Sequence, residues 1–332
     1  MERGFGVSSL KDKAIACAGN WIVDIVQTID TWPQKSDLVH IRHEVMGVGG
    51  GAANVVLDLA AFDAGLRLYA VGLVGGDAHA GLCRSACDAA GVDRRWLKTS
   101  ATAMTAHTQV MNVPGDSRTF FYHPGCNDAL TEADIPVEEM AAEGVGIFYL
   151  GYINLLGALD ALEGGTTGAA RILSRARACG MVTVVDLVSA DTSTFAATVM
   201  AALPTVDYLF LNEVEAARTL GRPPIPAGDR AGLEAAARAL QAAGAGRVVL
   251  HTGQGALWFD GAPLWAEPCA VAPGDIVSPV GAGDAFCAGA LYGIHQGWDA
   301  GRCLSLAHRA AAASLKGATA TEGIPPLRVL LG

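Results

Sequence analysis

Val280-Gly281-Ala282-Gly283-Asp284-Ala285-Phe286 leads into an alanine-rich run that reads as a helix. Its two glycines let the backbone approach a ligand, and the unpaired N–H groups of a helix start make a cradle for an anion. Asp284 falls in the first turn of that helix. An acidic side chain there complements the helix dipole and needs no further purpose. Beside an anion cradle it also has the placement of a general base, accepting a hydroxyl proton while backbone dipoles hold a transferring phosphoryl group.

Upstream of this heptapeptide, short apolar runs alternate with alanine-rich helical segments. Buried strands are expected at Ala14–Ala18, Arg67–Val74, Gly146–Tyr152, Val182–Leu187, Val206–Leu211 and Arg247–Thr252. Helices are expected near Ala52–Ala64, Ala78–Ala90, Thr167–Cys179, Glu213–Leu220 and Arg230–Ala243. Near-continuous apolar strands separated by amphipathic helices imply an α/β fold, with a mostly parallel sheet covered on both faces. Gly65, Gly91, Gly180, Gly221 and Gly244 stand where C-cap glycines belong. Two segments break the rhythm. Residues 20–46 alternate apolar and polar side chains, and residues 107–123 read as a hairpin around Pro114-Gly115-Asp116. Together they predict a small β-sheet projecting from the α/β body.

A second glycine-rich stretch, Gly47-Val48-Gly49-Gly50-Gly51-Ala52-Ala53-Asn54, also enters a helix. It matches G-x-G-x-x-A in form. A dinucleotide fold, however, needs an apolar strand before the glycines and an acidic residue about twenty positions later. The preceding HIRHEVM alternates with charges, and Arg67 stands twenty positions after Gly47, which weakens the oxidoreductase alternative. A tight turn with close helix packing accounts for the glycines alone, but Asn54 on an apolar helix face suits a ligand contact. No Gly-Lys pair, H-R-D or D-F-G occurs, so P-loop and protein-kinase nucleotide sites are excluded.

Composition narrows the partners. With 51% hydrophobic and 17% charged residues, the chain is globular rather than disordered. A net charge of −10 and only five lysines argue against a nucleic-acid surface. The eight cysteines, at 17, 83, 87, 126, 179, 269, 287 and 303, form no C-x-x-C pair. They are expected as buried free thiols of a reducing cytosol. His40-x-x-His43 has no third ligand nearby, which gives a metal-dependent hydrolase little support. The opening MERGFGVSSLKDK has no apolar core, and the longest uncharged run, 144–159, is too short to span a bilayer. A cytoplasmic protein with no membrane partner is expected.

In order and separation these segments resemble the ribokinase-like family, also called the phosphofructokinase-B sugar kinases, over about residues 14–325. The resemblance implies one kinase domain built as a three-layer α/β/α sandwich. Residues about 20–46 and 107–123 would form a β-sheet lid inserted in it. Gly19-Asn20-Trp21-Ile22-Val23-Asp24 is similar to the family's opening strand, making Asp24 the candidate for substrate hydroxyls. Gly49-Gly50-Gly51-Ala52-Ala53-Asn54 matches its G-G-x-x-x-N signature, whose glycine amides and asparagine would also meet the substrate. Gly51 stands where lysine or serine is frequent, so the family's specificities do not carry over. Asn212-Glu213-Val214-Glu215 resembles N-x-x-E, which would organise Mg²⁺ (through Glu215) and the nucleotide phosphates (through Asn212). The same residues also read as an ordinary N-cap with acidic first-turn neighbours. Leu250-His251-Thr252-Gly253-Gln254-Gly255 is similar to the nucleotide-phosphate loop, one residue shorter than the common pattern, and implies Thr252, Gly253 and Gly255. Gly281, Ala282 and Gly283 would be the anion hole and Asp284 the base. His308 would border the adenine where asparagine is frequent, or simply face solvent.

The implied reaction is transfer of the ATP γ-phosphate to a sugar hydroxyl, with a nucleoside as the alternative acceptor. Trp21, Phe120, Phe121 and Tyr122 would either stack on a base or pair lids in a homodimer. A catalytically silent sugar-binding relative and an NAD-dependent oxidoreductase are the remoter alternatives, and retention of Asp284 opposes the silent one. Many relatives read D-T-x-G-A-G-D, the first aspartate helping to bind an activating monovalent cation. Ser278-Pro279 stands there instead, with Asp275 too far upstream to substitute, so near-independence of K⁺ is expected.

Overall fold

A computed structural model describes residues 10–114 and 118–332. Its nine-stranded sheet runs in the order Pro263–Ala266, Gly255–Phe259, Arg247–Thr252, Tyr208–Asn212, Val182–Leu187, Val145–Ile153, Ala14–Gly19, Leu68–Val74, Asp93–Thr99. From Arg247–Thr252 to Asp93–Thr99 every neighbouring pair is parallel, and the last two strands return as an antiparallel hairpin.

Period-two alternation sends successive strand residues to opposite layers. Ala14, Ala16 and Ala18 join a core with Leu173, Val199 and Leu233 from helices on one face. Ile15 and Cys17 join Val55, Phe286 and Leu304 on the other. The result is the expected α/β/α sandwich with a mostly parallel central sheet. Helices Gly51–Ala61, Ala78–Ala90, Ala282–His295 and Ala300–Ser314 belong to the second layer.

A second sheet of four strands has the order Ile41–Gly49, Ile22–Ile29, Ala106–Asn112, Thr119–His123. Its two outer pairs are antiparallel and its central pair parallel. Ala106–Asn112 and Thr119–His123 pair as the predicted hairpin; Gly115 and Asp116 of its turn lie outside the described residues. The strand expected to end near residue 46 continues through Gly47-Val48-Gly49, so the turn into the helix is made at Gly50 alone.

Three strands of the large sheet escaped the periodicity reading. Asp93–Thr99 carries three basic side chains because it is an edge strand with a half-solvated face. Gly255–Phe259 and Pro263–Ala266 form the hairpin at the opposite edge. The first helix ends at Ala61 rather than Ala64, with Asp63 at φ 50°, so Gly65 is not its cap. Six cysteines are buried thiols, but Cys179 and Cys269 are exposed, since one ends a helix and the other follows the edge hairpin. No described helix is long and apolar enough to cross a membrane.

Candidate active site

The chain winds outward in both directions from the adjacent strands Ala14–Gly19 and Val145–Ile153. At such a switch point the carboxyl ends of parallel strands open a crevice where ligands bind. Asn20, Tyr152, Asp186, Asn212 and Thr252 all stand at or just past those ends.

Gly281 caps the helix Ala282–His295 with φ 85° and no side-chain cap. A Cβ there would come 2.5 Å from the Ala320 carbonyl oxygen, so both conformation and space demand glycine. The amides of Ala282, Gly283 and Asp284 therefore begin the helix without intrahelical acceptors. The buried carboxylate of Asp284 accepts from Asn54 Nδ2 at 2.8 Å and from the Tyr152 hydroxyl at 2.8 Å to each oxygen. Burial pushes its pKa up to about 6; the Asn54 and Tyr152 hydrogen bonds pull it back, while Asp24 and Glu215 push it further up.

Asp24 lies on the strand Ile22–Ile29, opposite Thr108 on one side and Gly47 on the other. Its carboxylate fills the space beside Gly49, where no Cβ fits. Burial raises Asp24 to about 6 and the Thr108 side chain draws it down. Asn54 has one amide nitrogen committed to Asp284 and a buried Oδ1 without a partner among the described residues. Gly50, at φ 95°, brings its Cα against the Asn20 carbonyl, and Gly51 lies against the Tyr152 ring, 2.7 Å from where a Cβ would be. Of the sequence-predicted residues, Asn54 thus reaches Asp284 directly and Asp24 lies near enough to raise it, whereas Gly49 packs on Asp24, Gly50 on Asn20 and Gly51 on Tyr152.

Asn212 caps the helix Glu213–Thr219 and Glu215 completes the capping box, its Oε2 accepting from the Asn212 amide at 2.8 Å. Glu215 Oε1 accepts from Ser189 Oγ at 2.8 Å and from Asn212 Nδ2 at 2.9 Å. The ordinary cap therefore exists, and any role toward phosphate or metal is additional to it. Thr252 Oγ1 donates to the Gly255 carbonyl at 3.2 Å and accepts from the Gln254 amide at 3.0 Å. Gly253 faces open space, while Gly255 starts the edge hairpin against the Ala266 carbonyl.

His308 is buried, not solvent-facing. It packs edge-on to Phe286 at 5.2 Å, and its Nε2 has no partner among the described residues. His251 meets the same ring at 5.2 Å and lies 3.3 Å from a Cβ built on Gly283. This row of rings links the Thr252 turn to the anion cradle. Burial lowers both imidazoles, His251 to about 4, so they stand neutral.

Residues absent from the sequence reading complete the crevice. Asp186 is the penultimate residue of the buried strand Val182–Leu187, and burial together with Asp284 and Glu215 raises it well above the usual carboxylate value. Asp58, one turn beyond Asn54, is fully buried with neither oxygen partnered among the described residues; burial raises it strongly. A charged residue closing an apolar strand was the available signal for Asp186. Nothing in the sequence marks Tyr152, whose φ of 56° is rare for an aromatic residue.

Burial and mutual repulsion of Asp284, Asp186 and Glu215 suit a nearby cation. Among the described residues, though, no three acidic, histidine or cysteine side chains converge on one metal position. The donor set fits a hard ion held mainly by water and substrate phosphate, as Mg²⁺ is.

Ser278, buried just before the cradle, accepts from Arg118 Nη1 at 2.9 Å and from the Val280 amide at 3.2 Å. Asp275 instead faces Lys316, 3.8 Å away on the surface.

A sequence model of pfkB family carbohydrate kinases matches residues 12–326. An Arabidopsis thaliana ribokinase solved with ribose and ATP is similar at TM-score 0.82 and 22% identity, covering 96% of this chain and 97% of its own. An E. coli protein of ribokinase type, solved with ATP and Mg²⁺, gives 0.76 and 18% over 96% and 98%. A Methanocaldococcus jannaschii nucleoside kinase gives 0.72 and 13% over 96% and 97%. At these identities the likeness is one of fold.

Proposed function

Since the chain belongs to the pfkB family of carbohydrate kinases, we propose that it transfers the γ-phosphoryl group of ATP to a hydroxyl of a small sugar. The observation that carries this is a buried carboxylate, Asp284, at the mouth of a helix-start anion cradle, oriented by Asn54 and Tyr152. Asp284 takes the proton of the acceptor hydroxyl, whose oxygen forms the new bond to the γ-phosphorus as the bond to the bridging oxygen of ADP breaks. The amides at Gly281–Gly283 hold the charge on the equatorial oxygens. Asn212, Thr252 and Gly253 serve the nucleotide phosphates, and the neutral His308 edge borders the adenine. Mg²⁺, associated with Glu215 through water, would neutralise phosphate charge.

Asp24 and the free Oδ1 of Asn54 hold the acceptor. An ADP-release assay across sugars and nucleosides with Mg·ATP tests the reading. Asp24→Ala should raise the acceptor KM roughly 5–150-fold, the equivalent of about 1–3 kcal/mol, with little change for ATP. ADP release with no acceptor in the panel, or equal loss toward ATP and acceptor, would count against it.

A nucleoside is the second acceptor class. Tyr122, hydrogen-bonded to Asn127 and close to Asp24, offers a ring beside the acceptor position. Trp21 does not, being buried with its Nε1 donating to the Val71 carbonyl. Trp32 and Phe121 stack 6.3 Å apart on the exposed face of the small sheet. That apolar face suits a homodimer of a cytoplasmic enzyme whose small sheets close over the sugar and exclude water.

Turnover should be nearly independent of K⁺. The oxygen of Ser278 is neutral and already takes two donors, one of them a guanidinium. Initial rates in K⁺, Na⁺ and a bulky organic cation at constant ionic strength read this directly; several-fold activation by K⁺ alone would contradict it.

A further inference from the structure

We infer that Arg118 recognises an anionic group, a carboxylate or a phosphate ester, on the acceptor itself; this rests on the kinase reading and narrows its substrate class. Arg118 stands immediately before the strand Thr119–His123 and lines a narrow cleft with Asp24, Gly47, Val48, Val280 and Thr319. The cleft thus joins the candidate hydroxyl-binding aspartate, the glycine-rich strand and the residue preceding the anion cradle.

The guanidinium is set apart by its burial. Arg67, Arg84, Arg218 and Arg309 also donate only to neutral groups among the described residues, but Arg118 is the described arginine that burial pushes down. Among the described residues its one side-chain hydrogen bond goes to the neutral hydroxyl of Ser278. Nor is Asp24 its counter-ion. That carboxyl, on the same cleft, is raised to about 6 by burial and drawn down only by Thr108, which a paired guanidinium would not allow.

Among the described residues, two opposite charges therefore stand on one cleft without pairing with each other, at the cost of desolvating both. Guanidinium is a donor-only planar fork matched to two oxygens of a carboxylate or phosphate, whereas Asp24 accepts from hydroxyls. A polyol with hydroxyls toward Asp24 and an anionic group toward Arg118 satisfies both. A neutral sugar brings the guanidinium no counter-charge.

The test compares matched acceptors in the ADP-release assay: D-gluconate against D-glucose, and D-fructose 6-phosphate against D-fructose, with the enzyme and with Arg118→Gln. The expected result is a kcat/KM at least about 10²-fold higher for one anionic member than for its neutral partner, a ratio that collapses toward unity in Arg118→Gln. Which pair shows it separates a sugar acid from a sugar phosphate. Neutral and anionic partners used equally well, or a preference that survives in Arg118→Gln, overturns the inference and leaves the kinase reading intact. If no acceptor releases ADP, the kinase reading fails, and calorimetry of D-gluconate and D-fructose 6-phosphate decides on Arg118 alone. Binding lost in Arg118→Gln, with an unchanged melting temperature, supports anion recognition; no binding to the unaltered protein removes it.

Discussion

Asp284→Asn is expected to lower turnover roughly 10²–10⁴-fold while leaving the fold and ATP binding intact. Asn54 Nδ2 and the Tyr152 hydroxyl both reach Oδ2 of Asp284, so the single carbonyl oxygen of an asparagine can accept from both. What is lost is the capacity to take a proton. Stability should move the other way or not at all. The Asp284 pKa is raised from 3.8 to about 6 in the folded chain, with burial the largest cause. A raised carboxyl contributes stability below its unfolded pKa, and that contribution is lost as pH climbs through about 6. Asparagine never ionises, so at pH 8 the variant should melt no lower than the parent protein. A coupled assay and a melting curve at pH 8 check both halves. Near-normal turnover would remove Asp284 from the base role; melting several degrees lower would mean that the carboxylate chiefly holds the fold.

Tyr152→Phe should move the acid limb of the activity profile upward. As a base, Asp284 works only when ionised, so kcat/KM for the acceptor should rise with pH through about 6. The Tyr152 hydroxyl donates to both carboxylate oxygens and favours the ionised form. A hydrogen bond to a charged group is worth about 1.5–3 kcal/mol, which corresponds to roughly one to two pKa units. The limb should therefore shift up by about that amount, lowering activity about 5–50-fold near pH 6 and far less at pH 9. Phenylalanine keeps the ring against Gly51, so the KM for ATP should hardly change. A profile reduced by the same factor at every pH would show that Tyr152 acts by packing and not through the proton.

The sandwich was legible because its strands are buried on both faces and so read as unbroken apolar runs between alanine-rich helices, as in Val182–Leu187 and Ala78–Ala90. The edges were not. Asp93–Thr99 and Pro263–Ala266 pair on one side only and keep exposed side chains, while Gly255–Phe259, buried throughout, is a short run that follows directly on the Thr252 turn. Trp21 shows the same limit, since an aromatic residue opening an alternating segment looks available to a ligand until the packing buries it.

What the sequence by itself determined is the set of local backbone demands. Gly281 before Asp284 and Gly50 before Asn54 are needed where φ is positive and a backbone oxygen leaves no room for Cβ, and such demands are written in one residue type. Only the tertiary structure decided which side chains share the crevice. Asn54 meets Asp284 across 230 positions, Tyr152 across 132, and Arg118 meets Ser278 across 160. Those meetings, and the carboxyl pKa values that follow from them, depend on desolvation and on charges brought together by the strand order, and no local pattern encodes either.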